Sequence, residues 1–196
     1  MKQFLALLAV LILLASGIAY AEGEGGALLI LNYGTESQAD YKAVGEVRAP
    51  SGYVPIEGIS PNTEGAESEL YYKPEDSASS VRFFYYTTGN GDSAELAQKL
   101  PEMYASFYED FTAEDVRTES VLGNDWLIFS YRCSYPNADG TGAVYEQTAV
   151  CYRQLGDVGY VACIVSAAFA APEEYYASEG LRALIESAIS AVEFKQ

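Results

Sequence analysis

The sequence contains no histidine, a single tryptophan and only three cysteines. Without imidazole it lacks the usual general base of a Ser or Cys nucleophile, the neutral-pH proton shuttle and the common nitrogen ligand of zinc, copper and iron. Carboxylate or lysine chemistry survives that loss; most hydrolase and metalloenzyme templates do not. Positive charge is also scarce. The 28 acids outweigh 11 bases, giving a formal −17, and Lys2 is the only charge in the first 21 residues. Such a surface repels phosphate backbones and anionic headgroups, and no basic run offers a local exception, so nucleic acid is set aside as a partner. What the chain does have is 49% hydrophobic and 20% charged residues, the balance of a packed globule rather than of a disordered chain. The charge excess itself reads as a solvated, self-repelling surface.

Residues 1–21 begin Met-Lys-Gln, continue through the apolar run Phe4 to Leu14 and end at Ala19-Tyr20-Ala21. A charged start, an apolar stretch of this length and a small-x-small ending form the pattern of a secretory signal peptide cleaved near Ala21. The run is too short for a membrane anchor, and Glu22 stands where a lipoprotein would carry cysteine. The expectation is a secreted or extracytoplasmic protein with no membrane span once the leader is removed.

Residues 22–52 read as a flexible or extended N-terminal segment and residues 53–196 as one domain. Tyr53 to Ser68, with Pro55 and Pro61, reads as extended and loop-rich. Strands are expected at Glu69 to Lys73 and Ser80 to Thr88. The period then changes from two to about 3.6: Leu96, Leu100, Met103, Phe107 and Phe111 recur on one face of an amphipathic helix opening at Asp92. Pro101 falls inside it, and the expectation is a kink or two shorter helices with Pro101 opening the second. Leu100, Met103 and Phe107 are expected to be buried against Trp126, Ile128, Val150 and Val161. Four strand-like runs follow, Asp115 to Leu122, Trp126 to Tyr135, Ala143 to Arg153 and Gly159 to Ala168, joined by turn residues as an antiparallel meander. A helix after Pro172 closes the chain, with acids in its first turn.

This order, with Gly52-Tyr53-Val54-Pro55, the Ser80 to Tyr86 strand, the helix from Ser93 and the closing segment Ala188 to Phe194, resembles the PsbP-like domains of extracytoplasmic accessory proteins. The resemblance implies an α+β fold in which the meander is packed by the amphipathic helix after the second strand and by the C-terminal helix. It also implies a mostly non-catalytic role, and it brings no catalytic residues and no cofactor.

Candidate sites are few. Phe83-Phe84-Tyr85-Tyr86 places large rings on both faces of one strand, so a face left uncovered by helices would offer an aromatic surface to a glycan, a peptide or a protein; packing on both faces is the competing reading. Asn137-Ala138-Asp139-Gly140-Thr141-Gly142 has alternate oxygens like a calcium loop, but Thr148 stands where a bidentate Glu belongs, and a hairpin loop is the simpler reading. The neighbouring acids Glu109-Asp110 and Glu114-Asp115 read as a solvated helix end rather than an acid and base pair. The meander register, with facing residues summing to about 314, sets Cys151 opposite Cys163 on one face, a candidate disulfide or a pair of core thiols, with Cys133 a small buried thiol. The expected function is that of a secreted, acidic, non-enzymatic domain binding a protein or cell-envelope component through its sheet surface, with no cofactor and no metal. The alternative is a small carboxylate-dependent hydrolase acting on envelope polymers, which would need a buried pair of carboxylates in a cleft.

Overall fold

The computed structural model describes residues 28–33, 42–56, 70–74, 81–88, 93–108, 110–155 and 159–194. The expected leader over residues 1–21 lies outside them. Along the chain run β1 (Leu28–Tyr33), β2 (Lys42–Arg48), β3 (Tyr53–Pro55), β4 (Leu70–Pro74), β5 (Val81–Thr88), α1 (Ser93–Ala105), β6 (Asp110–Ala113), β7 (Arg117–Val121) and β8 (Asn124–Pro136). There follow β9 (Ala143–Leu155), β10 (Gly159–Phe169), a single 3-10 turn at Pro172–Glu174, α2 (Ser178–Ser190) and β11 (Val192–Phe194).

Eight strands form one antiparallel sheet in the order β3-β4-β5-β10-β9-β8-β6, with β7 also paired to β8. The consecutive strands β8, β9 and β10 are the expected meander, and their alternating β-branched and aromatic residues suit a sheet packed on both faces. β9 and β10 pair with partners from Gly159↔Leu155 to Phe169↔Tyr145, the register read from the sequence. At the tight turn from β7 to β8, Leu122 (φ 50°) and Gly123 (φ 78°) are both left-handed, the backbone a two-residue hairpin with right-handed strand twist requires.

Because side chains alternate along a strand, this sheet has two distinct faces. On the first, Phe83, Tyr85, Trp126, Ile128, Cys151 and Cys163 pack with Leu181, Ile185, Ala188 and Ile189 of α2. Tyr85 donates its hydroxyl to the Ala188 carbonyl at 3.1 Å, which pins the helix to the sheet. Trp126 is fully buried there, and its indole N–H finds no partner among the described residues. The second face carries Phe129, Tyr131, Cys133, Val150, Tyr152, Tyr160 and Ala162, with α1 contributing Leu100. A smaller sheet, β1-β2-β11, joins the N-terminal strands to the chain's last strand. Val47 of β2 and Val192 of β11 are both buried in the first-face core, so residues 42–48 are tied to the body that the sequence placed from Tyr53 onward.

The expected α+β fold of PsbP-like type is corrected by these proportions. Strand makes up 57% and helix 21%, in two sheets with two α-helices among the described residues. Two local misreadings account for part of the difference. Ala188 to Phe194 was expected to end the last helix, but the helix stops at Ser190 and Val192–Phe194 pairs with β2. Phe111, expected on the helix stripe, lies in β6 opposite Cys133.

The α1 expectations divide in the same way. The helix is one piece, with Pro101 inside it and the C-terminal end one turn beyond, so the lost amide donor costs a single bond near a terminus. Leu100 is buried on the second face with Val150, as expected, but Trp126, Ile128 and Val161 lie on the other side of the sheet. Met103 and Phe107 are exposed. The cause is parity: Trp126 and Ile128 point opposite to Phe129 and Tyr131, and α1 reaches only the latter.

Candidate functional site

Strand β5 divides the expected aromatic site between the two faces. Phe83 and Tyr85 have no exposure and belong to the first-face core, Phe83 stacking on Tyr53 with ring centroids 4.5 Å apart. Phe84 and Tyr86 stand half-buried on the second face, 5.1 Å apart. The strand therefore turns two of its four rings toward the first-face core and two toward the tyrosine-rich second face.

Across that surface Tyr86 and Tyr152 share a hydroxyl–hydroxyl hydrogen bond, and Tyr104, Tyr108 and Phe111 gather around Tyr131. One carboxylate serves the cluster: Glu146 accepts from Tyr135 Oη at 3.3 Å and from Thr148 Oγ1 at 2.9 Å. Burial, reinforced by the Glu146 charge, pushes the Tyr108 phenol up to about 12 and raises Tyr131 and Tyr135 further. These rings therefore stay neutral at physiological pH, Tyr131 as buried core and Tyr108 and Tyr135 as half-buried rings at its margin. At the rim, Phe107 is 69% exposed and Met103 44% exposed. The two are four residues apart on the last turn of α1 and its continuation, where the Phe107 amide donates to the Tyr104 carbonyl at 2.9 Å.

The opposite face carries a polar cleft of about 330 Å³ between α2 and strands β7 to β9. A second recess of about 120 Å³ shares Glu114, Arg132 and Gln147 with it. The wall is a chain of ion pairs. Arg117 bridges Glu114 at 3.2 Å and Glu119 at 3.4 Å, and Arg182 bridges Glu119 and Glu186, both at 2.8 Å. Buried Ser130 adds a 2.6 Å hydrogen bond to Glu114 Oε2. Gln147 is spent on structure: its Nε2 donates to the Tyr176 carbonyl and its Oε1 accepts the Tyr176 amide, which fixes the segment leading into α2. Arg132 differs from its neighbours, since its guanidinium lies 5.0 Å from the Tyr175 ring centroid and forms no ion pair among the described residues. Of these residues the sequence singled out only Glu114, as a solvated acid, because residues 114–119, 132, 147 and 182 are brought together only by the sheet and α2.

The remaining candidates fall into place. Asn137 to Gly142 is an exposed hairpin loop, with Thr141 donating its amide and hydroxyl to Asp139. Glu109 lies outside the described residues, while Asp110, Glu114 and Asp115 are exposed in and after β6 rather than on a helix end. Cys151 and Cys163 are register partners on the first face, Cys133 is on the second, and all three are buried free thiols. Burial pushes the thiols of Cys133 and Cys151 up to about 12 and that of Cys163 well above its ordinary value, so each packs as a small hydrophobe.

Among the described residues no helix is long and apolar enough to cross a membrane, which says nothing of strands. No family model and no curated protein matches the chain. Among solved structures it is similar to LpqN, described as involved in cell envelope biogenesis of Mycobacterium tuberculosis, with 11% identity and a TM-score of 0.45 over 91% of this chain and 89% of that one. Likeness at that level fixes neither fold family nor function.

Proposed function

We propose that this protein is a non-catalytic binding domain that works outside the cytoplasm and engages a protein or cell-envelope component through the second face of its large sheet. The observation that carries the reading is the exposure of Phe107, with Met103 beside it, at the edge of a half-buried aromatic surface. A single exposed apolar residue means little, but a large aromatic left bare next to further partly covered rings marks a contact surface. The extracytoplasmic setting rests on the leader pattern of residues 1–21 and on the acidic surface.

The hydrolase alternative required a buried pair of carboxylates in a cleft. The cleft's Glu114 and Glu119 side chains are 65% and 31% exposed and each is tied to an arginine, so nothing in the arrangement favours that reading. The test is capture from envelope extracts by the immobilised mature chain, wild type against Phe107→Glu and Met103→Glu. A large apolar side chain that anchors a partner is worth about 1.4 kcal/mol or more, so captured material should fall about tenfold or more in each variant. Equal capture by all three proteins would remove this surface from consideration.

A further inference from the structure

The cleft on the first face is a separate place from the apolar end of α1, with the sheet between them, and it has a chemistry of its own. Three of the six arginines in a chain of formal charge −17 converge on it. Glu114, Glu119 and Glu179 match them, so the cleft carries no net charge. A cation gains nothing there, and an anion is repelled by the rest of the molecule on approach.

We propose that this cleft binds an uncharged polyhydroxyl ligand, a mono- or disaccharide unit, with Arg132 supplying the free donors. A sugar hydroxyl both donates and accepts, so it needs acceptors and donors held side by side. The wall supplies them in alternation, Glu114, Arg117, Glu119 and Arg182, each locked by its neighbour at 2.8 to 3.4 Å. A ligand meeting groups already in position loses less in ordering them. Arg132 adds guanidinium N–H donors that no acceptor among the described residues occupies, and its guanidinium carbon lies over the Tyr175 ring, 5.0 Å from the centroid. Leu181 and Ile185, buried members of the first-face core, back the cleft with apolar side chains. About 330 Å³ is at the small end of ligand pockets and suits one or two sugar rings.

The experiment is saturation-transfer NMR on the purified protein, with N-acetylglucosamine and maltose as neutral probes and glucuronate as the anionic comparator, at low and high salt. The neutral sugars should bind in the millimolar range with affinities insensitive to salt. Arg132→Ala, at an exposed position, should weaken them about tenfold while leaving the thermal melt unchanged, and Arg132→Lys should fail to restore binding because a point charge lacks the planar fork. Binding of glucuronate alone, screened by salt, would make this an anion site and overturn the proposal. So would saturation transfer that survives Arg132→Ala, or none from either neutral sugar at tens of millimolar. None of these results bears on the Phe107 surface, which is read by capture and not by sugar binding.

Discussion

The two faces of the large sheet are built from the same strands and finished differently. The first is covered by α2 and the small sheet, and Phe83, Tyr85, Trp126, Ile128, Cys151 and Cys163 along it have no exposure. The second carries its own buried residues, Leu100 of α1 with Phe129, Tyr131, Tyr152 and Tyr160, but among the described residues Tyr86, Tyr104, Tyr108 and Tyr135 around them are only partly buried. A dry face gains stability in proportion to the area it hides, whereas a half-covered one keeps apolar area that folding has not used. The contrast separates what holds the fold from what is left for a partner.

The sharpest way to break that contrast is a large-to-small change on the dry face. Trp126→Ala should cost about 3 to 5 kcal/mol in urea unfolding, as a buried aromatic does, with the loss moderated by removal of an indole N–H that has no partner among the described residues. A loss below about 1 kcal/mol would mean that the first-face core can collapse around the hole and is not the more rigid of the two.

Alkali should expose the second face next. Tyr131, Tyr152, Tyr135 and Tyr108 have folded-state pKa values raised above the ordinary 10.0, chiefly by burial. In the unfolded chain they ionise near 10, so the stability they contribute is complete below that pH and is lost as pH climbs toward their folded values. Each tyrosine that stays protonated only in the fold should remove about 1.4 kcal/mol per pH unit above 10. Tyr85, Tyr53 and the thiols of Cys151 and Cys163 add to the same slope from the first face, so the second-face share is the part of the slope lost in a Tyr131→Phe, Tyr152→Phe double variant. A urea midpoint that stays flat from pH 9 to 11, about the range around the ordinary value, would show that these rings are freely solvated.

The contrast was half visible in the sequence. Alternation in Phe83 to Tyr86 and in the three long strands showed that two faces exist, and the β9–β10 register followed from its short connection. Which face would be drier depended on α2 and on β2 pairing with β11, a contact between residues near 46 and near 193 that leaves no local mark. The α1 stripe misled for a related reason. Apolar residues at Met103, Phe107 and Phe111 fit a continuing helical period, yet the helix ends at Ala105 and Phe111 becomes strand, so period alone could not tell a packing residue from a bare one. The arginine cleft was invisible because its members are far apart in the chain, and only the fold gathers them.

The smallest expected effect is the one that best tests the reading of the exposed rim. If Phe107 is a contact residue and not part of the core, Phe107→Ala removes almost nothing from the folded state, since 69% of the side chain already faces water. Its stability should then stay within about 0.5 kcal/mol of wild type, the range of ordinary surface substitutions, while Leu100→Ala, at a buried position of α1, should cost about 2 to 5 kcal/mol. Both variants can be measured in the same denaturant titration. Equal losses would mean that Phe107 is covered in solution and that the second face is closed like the first. A neutral Phe107→Ala that still lowers capture from envelope extracts would separate binding from folding at a single side chain, because the ring would then be doing nothing for the fold that water does not do as well.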